Sequence, residues 1–335
     1  MADNAIFAVT ILLALAYAYS NGVNDAANAI ATVVSTRVLT PMAAIAMAAL
    51  LQLTGALHVY FFLGPKVAKT IGKGLIDPSF INEYTVMAAI AASVIWVLGA
   101  TRQGFPVSVS HSLVASVVGA GLASGGTEAI VAGSFTKVLI ALAVSPLIGF
   151  GGSYIVMLSL YWLLHKTSPH AVRATFSRLH ILAGAFMAYS HGKNDGQNAM
   201  GIIALATFIH LGGPELTVDL WMVLASALTM STGTAVGGWR VIRTLGMRVT
   251  KLEDVHGFAA SATAATVIEA ASGIGLPVST THTMSGAIIG AGATRRLSAV
   301  RWGVTRSIGL AWLITYPVCF GLAWTISTIF EFTIA

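Results

Sequence analysis

The sequence predicts an all-α polytopic membrane protein built from two inverted-topology repeats, with broken helices and re-entrant hairpins at the midplane of the bilayer. Hydrophobic residues make up 56% of the 335 residues and charged residues only 9%, whereas a soluble domain has about 25% charged residues. Many stretches without Asp, Glu, Lys or Arg are long enough to cross a hydrocarbon core of about 30 Å. Two polar motifs also occur twice. A soluble globular protein is excluded.

The membrane segments follow from these charge-free stretches. They are 38–65, 84–101, 103–127, 138–164, 196–214, 220–239, 270–294 and 307–330. Three further apolar segments carry isolated charges, Asp25 within 4–36, Glu269 within 255–273, and Lys193 with Asp195 within 179–209. Charges inside membrane segments are costly and usually functional.

The net charge of +6 comes from basic residues that cluster in the loops 166–178, 240–251 and 295–306. The positive-inside rule places these loops in the cytoplasm, so the charge predicts membrane orientation and not nucleic-acid binding. The acidic loop 211–219 and both termini are expected outside, in a plasma or inner membrane. Lys66, Lys69 and Lys73 do not fit, because the same scheme places them outside.

Two motifs reveal an internal duplication. Residues 21–29 resemble residues 191–199 with Asp25 and Asp195 170 positions apart, and residues 104–112 resemble 275–283 with Pro106 and Pro277 171 apart. The predicted organisation is a first repeat at 1–165, a short cytoplasmic linker at 166–178, and a second repeat at 179–335. An odd number of crossings per repeat would invert the second, as in many secondary transporters. The alternative is a duplicated scaffold without transport.

The first motif predicts a cation site. Asn21, Asn24, Asp25 and Asn28 are three or four residues apart and share one helical face. An acidic residue in a membrane helix costs about 2.5–3.5 kcal/mol, which a bound cation would offset, and hard cations prefer carboxylate and amide oxygens. The second copy supplies Asn194, Asp195, Gln197 and Asn198. The alternative is a polar network that only holds helices together.

The second motif predicts an oxyanion site. Gly104 and Gly275 are expected to break a helix, and Pro106 and Pro277 suit the first turn of the next one. A helix N-terminus carries free N–H groups and partial positive charge, and nearby hydroxyls add donors without net charge. The candidate phosphate ligands are Ser108, Ser110, His111, Ser112, Ser279, Thr280, Thr281, His282 and Thr283. The alternatives are that the hydroxyls only cap helices and that the two histidines only pack.

Lys193 and Glu269 have no counterpart in the other repeat and are auxiliary candidates. Lys193 is expected to pair with Asp195, assist the anion or extend to the interface. Glu269 is a candidate for a cation path.

The motifs resemble those of the inorganic phosphate transporter (PiT) family. Residues 22–29 fit its pattern Gly-x-Asn-Asp-x-x-Asn-Ala, residues 191–201 fit the related His-Gly-x-Asn-Asp-x-Gln-x-x-Met-Gly, and 106–111 and 277–282 resemble its re-entrant hairpins. The resemblance implies symport of inorganic phosphate with Na⁺ or H⁺ by an elevator-like or rocking movement. It also implies that hairpin hydroxyls hold phosphate and that the Asn-Asp motifs hold cations. Departures from the pattern are Asn198, where Lys is common, and Lys193, where a small residue is common.

The predicted function is therefore secondary active import of phosphate, without a cofactor other than the coupling ion. The alternatives are a permease for sulfate or another oxyanion and a passive anion channel. An intramembrane enzyme is disfavoured because no complete catalytic triad is evident. The partners are phosphate, Na⁺ or H⁺, and the lipid bilayer, and the Gly-rich helices are compatible with a homodimer.

Overall fold

The computed structural model describes residues 2–212 and 215–334, and its regular elements are helices joined by short turns. The α-helices are α1 Ala2–Ser35, α2 Pro41–His58, α3 Lys66–Lys73, α4 Glu83–Gln103, α5 Val109–Gly125, α6 Ala132–Leu164, α7 Pro169–Leu211, α8 Leu220–Val236, α9 Trp239–Arg243, α10 Asp254–Gly273, α11 Thr280–Ala293 and α12 Trp302–Ile334. In this part of the chain six helices are long and apolar enough to cross a membrane, and α8 with Trp239–Arg248, bent by 62°, could form a seventh span. The predicted all-α polytopic architecture is confirmed.

Helices α4 and α5 form a hairpin whose two ends lie at the same level of the molecule. Before α4 and after α5 the chain pairs through backbone hydrogen bonds, Asp77 N to Ala129 O at 2.9 Å and Val131 N to Leu75 O at 3.0 Å. Helices α10 and α11 form a second hairpin, closed at its base by the bond from Arg301 N to Val249 O at 2.9 Å. Each hairpin therefore enters the molecule and leaves it from the same side.

The two hairpins enter from opposite ends. The base of the first meets the start of α1 and the end of α7, where Phe7 stacks on His210 at 4.3 Å and His210 Nδ1 lies 2.7 Å from Glu83 Oε1. The base of the second meets the end of α1 and the start of α7, because Arg37 and Arg173 line one cavity with residues 251–255. Helices α1 and α7 therefore run in opposite directions, which agrees with inverted repeats.

The second arms of the hairpins pack across the two halves. A Cβ on Gly119 of α5 would lie 2.3 Å from Phe320 O of α12, and one on Gly290 of α11 would lie 2.2 Å from Phe150 O of α6. Glycine is needed at both positions because the helix backbones are in contact. These equivalent contacts hold each hairpin against the last helix of the other half.

The break between the halves is shorter than the predicted linker. Helix α6 ends at Leu164 and α7 begins at Pro169, so residues 169–178 form the first turns of α7. Ser168 Oγ accepts a hydrogen bond from Ala171 N at 3.3 Å, and Pro169 occupies the first turn, where its missing N–H costs nothing. A Ser-Pro start signal thus begins the helix earlier than the hydrophobic pattern does.

Candidate functional site

The Asn-Asp motifs lie in the middle of α1 and α7, on long helices that continue through both motifs. The motif glycines allow close packing against the other half. A Cβ on Gly22 would lie 2.0 Å from Met230 O of α8, and one on Gly192 would lie 2.2 Å from Gln52 O of α2. The glycine of each motif therefore fixes the depth at which the following Asn and Asp residues stand.

Two carboxylates and one imidazole form the centre of the site. His191 Nε2 lies 3.1 Å from Asp195 Oδ2 and 3.7 Å from Asp25 Oδ2. A ligand atom of each of the three side chains lies within 4.8 Å of those of the other two, and all three residues are buried. Two acids this close inside a protein repel each other unless positive charge or donors stand beside them.

The hairpin tips meet this centre. Gly104 directly follows the last residue of α4, and Gly275 lies two residues after the end of α10; their φ values are 81° and 76°. These left-handed conformations favour glycine, and they turn the chain from one hairpin arm toward the other. The next helices begin only at Val109 and Thr280, capped by Ser108 and Ser279.

The prolines stand before these helices, and their predicted place in the first helical turn is wrong. Pro106 and Pro277 lie two residues before the capping serines. A proline disfavours helical geometry at the residue before it, so it separates the two arms of each hairpin and does not start the second arm. Ser108 Oγ and Ser279 Oγ accept from His111 N and His282 N at 3.1 and 3.0 Å.

The hydroxyls of the two tips contact the Asn-Asp motif of the opposite half. Asn28 Nδ2 donates to Thr281 Oγ1 at 3.0 Å, and Asn198 Nδ2 donates to Ser110 Oγ at 2.8 Å. Asp25 Oδ1 accepts from Thr281 Oγ1 at 3.0 Å. The predicted anion and cation motifs are therefore adjacent, and each motif of one half is completed by the other half.

Two further contacts attach the first arms of the hairpins to the same helices. The Asn24 side-chain amide lies 2.7 Å from Thr101 Oγ1 of α4, and Asn194 Nδ2 lies 2.7 Å from Ser272 Oγ of α10. The sequence interpretation missed both hydroxyls, although each lies near the end of a charge-poor segment, three residues before a helix-breaking glycine. Thr101 and Ser272 position Asn24 and Asn194 at equivalent places.

Thr280 breaks this symmetry. Its Oγ1 lies 2.8 Å from Asp195 Oδ2 and 3.3 Å from Asp25 Oδ2, so one hydroxyl reaches both carboxylates. The equivalent residue of the first repeat is Val109, which has no hydroxyl. The second hairpin thus contributes more donors to the centre than the first.

Several buried oxygen atoms around the carboxylates have no hydrogen-bond partner among the described residues. They are Asn21 Oδ1, Asn28 Oδ1, Asn194 Oδ1, Asn198 Oδ1 and Asp195 Oδ1. A buried polar atom without a partner costs about 1–3 kcal/mol. Such oxygens suit a hard cation, which binds carboxylate and amide oxygens in preference to other groups.

Some of the predicted phosphate ligands point elsewhere. Ser112 Oγ lies 2.7 Å from Ser93 Oγ and donates to Val109 O at 2.7 Å, and Thr283 Oγ1 donates to Ser279 O at 2.8 Å. They stand one turn inside their helices, where a hydroxyl readily bonds the preceding backbone carbonyl.

The two predicted histidines lie against each other and not against the carboxylates. The rings of His111 and His282 meet edge to face with centroids 5.6 Å apart, and His282 also packs on Trp312 at 4.1 Å. They occupy the first turns of α5 and α11, so their contact shows that the two helix starts approach one another. Their aromatic neighbours favour the packing role that the sequence left open.

Gln197 is also directed away from the carboxylates. Its Oε1 accepts from Val67 N and Ala68 N at 3.0 and 3.3 Å, and its Nε2 donates to Lys193 O at 2.7 Å. The side chain thus satisfies the N-terminus of α3, whose first amides have no partner within the helix. Its predicted place among the cation ligands is not supported by these contacts.

Lys193 pairs with Glu269 of α10 and not with Asp195, which was one of the three roles that the sequence left open for it. Residues two apart on a helix point to different faces, so Lys193 and Asp195 cannot face one partner. The side chains of Lys193 and Glu269 are 8% and 31% exposed. Lys193 is therefore neutralised by a residue of another helix, outside the carboxylate pair.

His191 is the central residue that the site prediction left out. It stands four residues before Asp195, so a helical reading of the second motif places both on one face. Its counterpart is Asn21, whose side-chain atoms are buried without a partner among the described residues. The four-residue spacing of His191 and Asp195 is a signal in the sequence. A prediction built on residue types common to both halves does not include His191, because the first motif has Asn21 in its place.

Comparison with known proteins agrees with this geometry. Residues 21–323 match the model of the phosphate transporter family. A probable low-affinity inorganic phosphate transporter of Rhizobium meliloti is 42% identical over 92% of this chain and 91% of its own, and one of Bacillus subtilis is 38% identical over 92% of each chain. A solved structure described as the sodium-dependent phosphate transporter superposes with a TM-score of 0.90 and 26% identity, covering 98% of this chain and 99% of its own.

These relatives are named transporters, which confirms the expectation of a transporter and not an enzyme. The family match covers both duplicated motifs and both hairpins. The chain therefore belongs to the phosphate transporter family, and it is a multi-pass membrane protein.

Proposed function

We propose that the protein imports inorganic phosphate in symport with Na⁺, by alternating access around the centre formed by α1, α7 and the two hairpin tips. The observation that carries the proposal is the convergence of both hairpin tips on the Asn-Asp motifs that hold the buried Asp25 and Asp195. The second tip brings the Thr280 and Thr281 hydroxyls to the two carboxylates, and the first tip brings the Ser110 hydroxyl to Asn198. An anion site and a cation site that share side chains provide a physical means of coupling.

Phosphate is placed between the starts of α5 and α11. The first amides of a helix lack an intrahelical acceptor, so Val109, Ser110, Thr280 and Thr281 present N–H groups at the two tips. Oxyanions bind readily at such ends. The Ser110 hydroxyl accepts from Asn198 and keeps its own hydrogen for the anion. The Thr280 and Thr281 hydroxyls complete the donor set when they turn from the carboxylates to the anion, whereas Ser108 and Ser279 cap the helices and shape the tips.

Na⁺ is placed at the carboxylates and the amide oxygens beside them. Asn21, Asn24, Asp25 and Asn28 supply one set, and Asn194, Asp195 and Asn198 supply the equivalent one. The unpartnered oxygens named above support this assignment. The description of the structural neighbour as sodium-dependent also favours Na⁺. Coupling to H⁺ is the alternative, favoured by His191 beside both acids.

The membrane potential sets a lower bound on the number of cations. A divalent anion that enters an inside-negative cell moves against the membrane potential, and this movement costs about 2.3 kcal/mol per charge per 100 mV. Two monovalent cations per phosphate remove that opposition, and a third makes the potential a driving force. Two pseudo-equivalent carboxylate sites are a natural means of carrying two cations.

The basic residues at one end of the molecule determine the orientation that we assign to it in the membrane. The linker, residues 249–253 and residues 295–301 meet there, since Arg301 N bonds Val249 O and Arg295 pairs with Glu253. We assign this basic end to the cytoplasm and both termini to the outside, with the repeats at 1–165 and 179–335 inverted relative to each other.

The lysines that do not fit the orientation have structural partners. Lys66 Nζ donates to Gly273 O at 3.0 Å, and its counterpart Arg240 bonds Arg102 O. Lys73 Nζ lies 4.0 Å above the Phe208 ring. Two of the three basic side chains thus serve contacts within the fold, one of them at a hairpin tip.

The decisive experiment is phosphate uptake by purified protein in proteoliposomes under an imposed Na⁺ gradient and then a proton gradient. We expect saturable uptake that requires the Na⁺ gradient. Uptake that ignores both gradients would reject symport, and uptake that follows only the pH gradient would reassign the coupling ion to H⁺. If sulfate at the same concentration as phosphate inhibits phosphate uptake, the result would instead favour a permease that accepts oxyanions in general.

A further inference from the structure

A second polar region lies at the linker end, separate from the centre. It is a cavity of about 780 Å³ between the ends of α1 and α6 and the starts of α7 and α10, here called the vestibule. The cationic side chains of Arg37, Arg173 and Lys251 line it. Glu253 and Asp254 also line it, and Glu253 pairs with Arg295. Asp254 has no ion-pair partner among the described residues, so the lining of the vestibule holds three cationic side chains and one carboxylate outside an ion pair.

A file of polar side chains on α1 connects the vestibule with the centre. Asn28 and Thr32 are four residues apart on one face of α1, and Thr36 directly follows the last residue of the helix, where its N–H bonds Thr32 O at 3.1 Å. At helical rise the three residues span about 12 Å. Asn28 contacts the second hairpin tip, and Thr32 Oγ1 lies 2.9 Å from Ser261 Oγ of α10. Thr36 Oγ1 donates to Thr32 O at 2.9 Å and lies 3.4 Å from His180 Nδ1 of α7. Thr36 also lines the vestibule.

The other half has no such file. The residues equivalent to Asn28, Thr32 and Thr36 are Asn198, Ile202 and Ala206, and the residue equivalent to Ser261 is Ile90. Both isoleucines are buried at 0–1% exposure. At that end the stack of Phe7 on His210 stands near the base of the first hairpin. The polar file is therefore a departure from the duplication and not a consequence of it.

We propose that phosphate passes between the centre and the linker end through a gate formed by Thr32 and Ser261, and that the vestibule cations form a second, weaker phosphate site. This inference rests on the proposed function and adds a route to it. Hydroxyls give an anion hydrogen-bond donors inside the membrane without holding it by charge. Cations at the mouth of a narrow passage raise the local concentration of an anion. Thr32 and Ser261 are fully buried, so the gate is closed in this structure.

The gate is tested with the double variant Thr32→Val, Ser261→Ala, which removes both hydroxyls with little change of volume. The matched control is Ile202→Val, Ile90→Val at the equivalent places of the other half. We expect the gate variant to transport phosphate about tenfold more slowly, while equilibrium binding of radiolabelled phosphate to the solubilised protein stays within about twofold of wild type. The control should retain the wild-type rate of phosphate transport and the wild-type phosphate binding. Equal transport by the gate variant and the control would overturn the route.

The vestibule is tested with the triple variant Arg37→Gln, Arg173→Gln, Lys251→Gln. Its control is Arg296→Gln, Arg301→Gln, Arg306→Gln, which removes three exposed cations near the same end but outside the cavity. The measurement is phosphate efflux from vesicles in which the linker faces the lumen. We expect the apparent KM for luminal phosphate to rise about five- to tenfold in the vestibule variant only, because local accumulation of the anion is lost.

Two results would overturn the vestibule site. Equal shifts in both triple variants would indicate a general surface-charge effect. An unchanged efflux KM with loss of co-purifying anionic phospholipid, measured by mass spectrometry, would assign the cavity to lipid. The failure of the proposed function is distinguishable, because wild-type protein would then show no gradient-driven phosphate uptake. Normal wild-type uptake with an unimpaired gate variant rejects only the route.

Discussion

Replacement of Asp25 by Asn removes one negative charge from the centre and keeps the shape of the side chain. The carboxylate accepts hydrogen bonds from Thr281 at 3.0 Å and Thr280 at 3.3 Å. The two bonds end on different oxygens, so the amide oxygen of Asn can accept from Thr281 while its NH₂ group donates to Thr280 Oγ1, whose hydrogen goes to Asp195. Folding and membrane insertion should therefore be retained. The loss should therefore fall on cation binding and not on stability.

The size of the effect follows from Coulomb's law. Two unit charges about 4 Å apart interact by about 4 kcal/mol at an effective dielectric constant of about 20, which corresponds to about 10³ in affinity. A neutral amide retains only a dipole. Asp25→Asn should therefore raise the Na⁺ concentration for half-maximal uptake by about 10³, which lowers gradient-driven uptake to background at physiological Na⁺.

The assay is initial phosphate uptake in proteoliposomes as a function of external Na⁺. The matched control is Glu83→Gln, which also removes a carboxylate beside a histidine, His210 at 2.7 Å, but at the base of the first hairpin. The control should keep its Na⁺ dependence within about twofold. An Asp25→Asn protein with wild-type Na⁺ dependence would show that the carboxylate is structural, and would refute the assignment of the cation site.

Three further changes separate the roles of neighbouring residues. Thr281→Ala removes a donor at the second tip and should raise the apparent KM for phosphate about tenfold, whereas Ser112→Ala, one turn inside α5, should change it less than twofold in the same uptake assay. Lys193→Val alone leaves Glu269 unpaired and should lower the free energy of unfolding in detergent by about 1–3 kcal/mol. The double variant Lys193→Val, Glu269→Leu should restore that free energy and keep the Na⁺ dependence of uptake unchanged. Gly22→Ala forces a Cβ into the α8 backbone and should abolish recovery of folded protein in size-exclusion chromatography.

The sequence predicted the general plan because its signals were local and repeated. Low charge identified the membrane helices, and the two motif pairs identified the duplication and the hairpin breaks at Gly104 and Gly275. The contact of Asn28 with Thr281 places the Asn-Asp and hydroxyl motifs side by side. A repeated polar group in lipid needs a partner, and the other repeated motif was the available one.

The details that the sequence did not predict depend on contacts between distant helices. Gln197 resembled a cation ligand by spacing, but the start of α3 takes its oxygen, and nothing in the local sequence shows that α3 lies there. Lys193 stands next to the motif in sequence, yet its partner Glu269 is on α10. A helical spacing shows which side chains share a face and does not show what that face meets.

The positions where the repeats differ explain how a symmetric scaffold can hold an asymmetric site. The paired contacts of Asn28 with Thr281 and of Asn198 with Ser110 are equivalent, so they define the scaffold. Thr280 reaches both carboxylates, but its counterpart in the first repeat is Val109. If both copies bound identically, each hairpin would hold the anion equally well and neither could release it first. For the proposed transport cycle we infer that the additional hydroxyl of the second hairpin biases the anion toward that tip, so that the first tip opens while phosphate stays bound to the other.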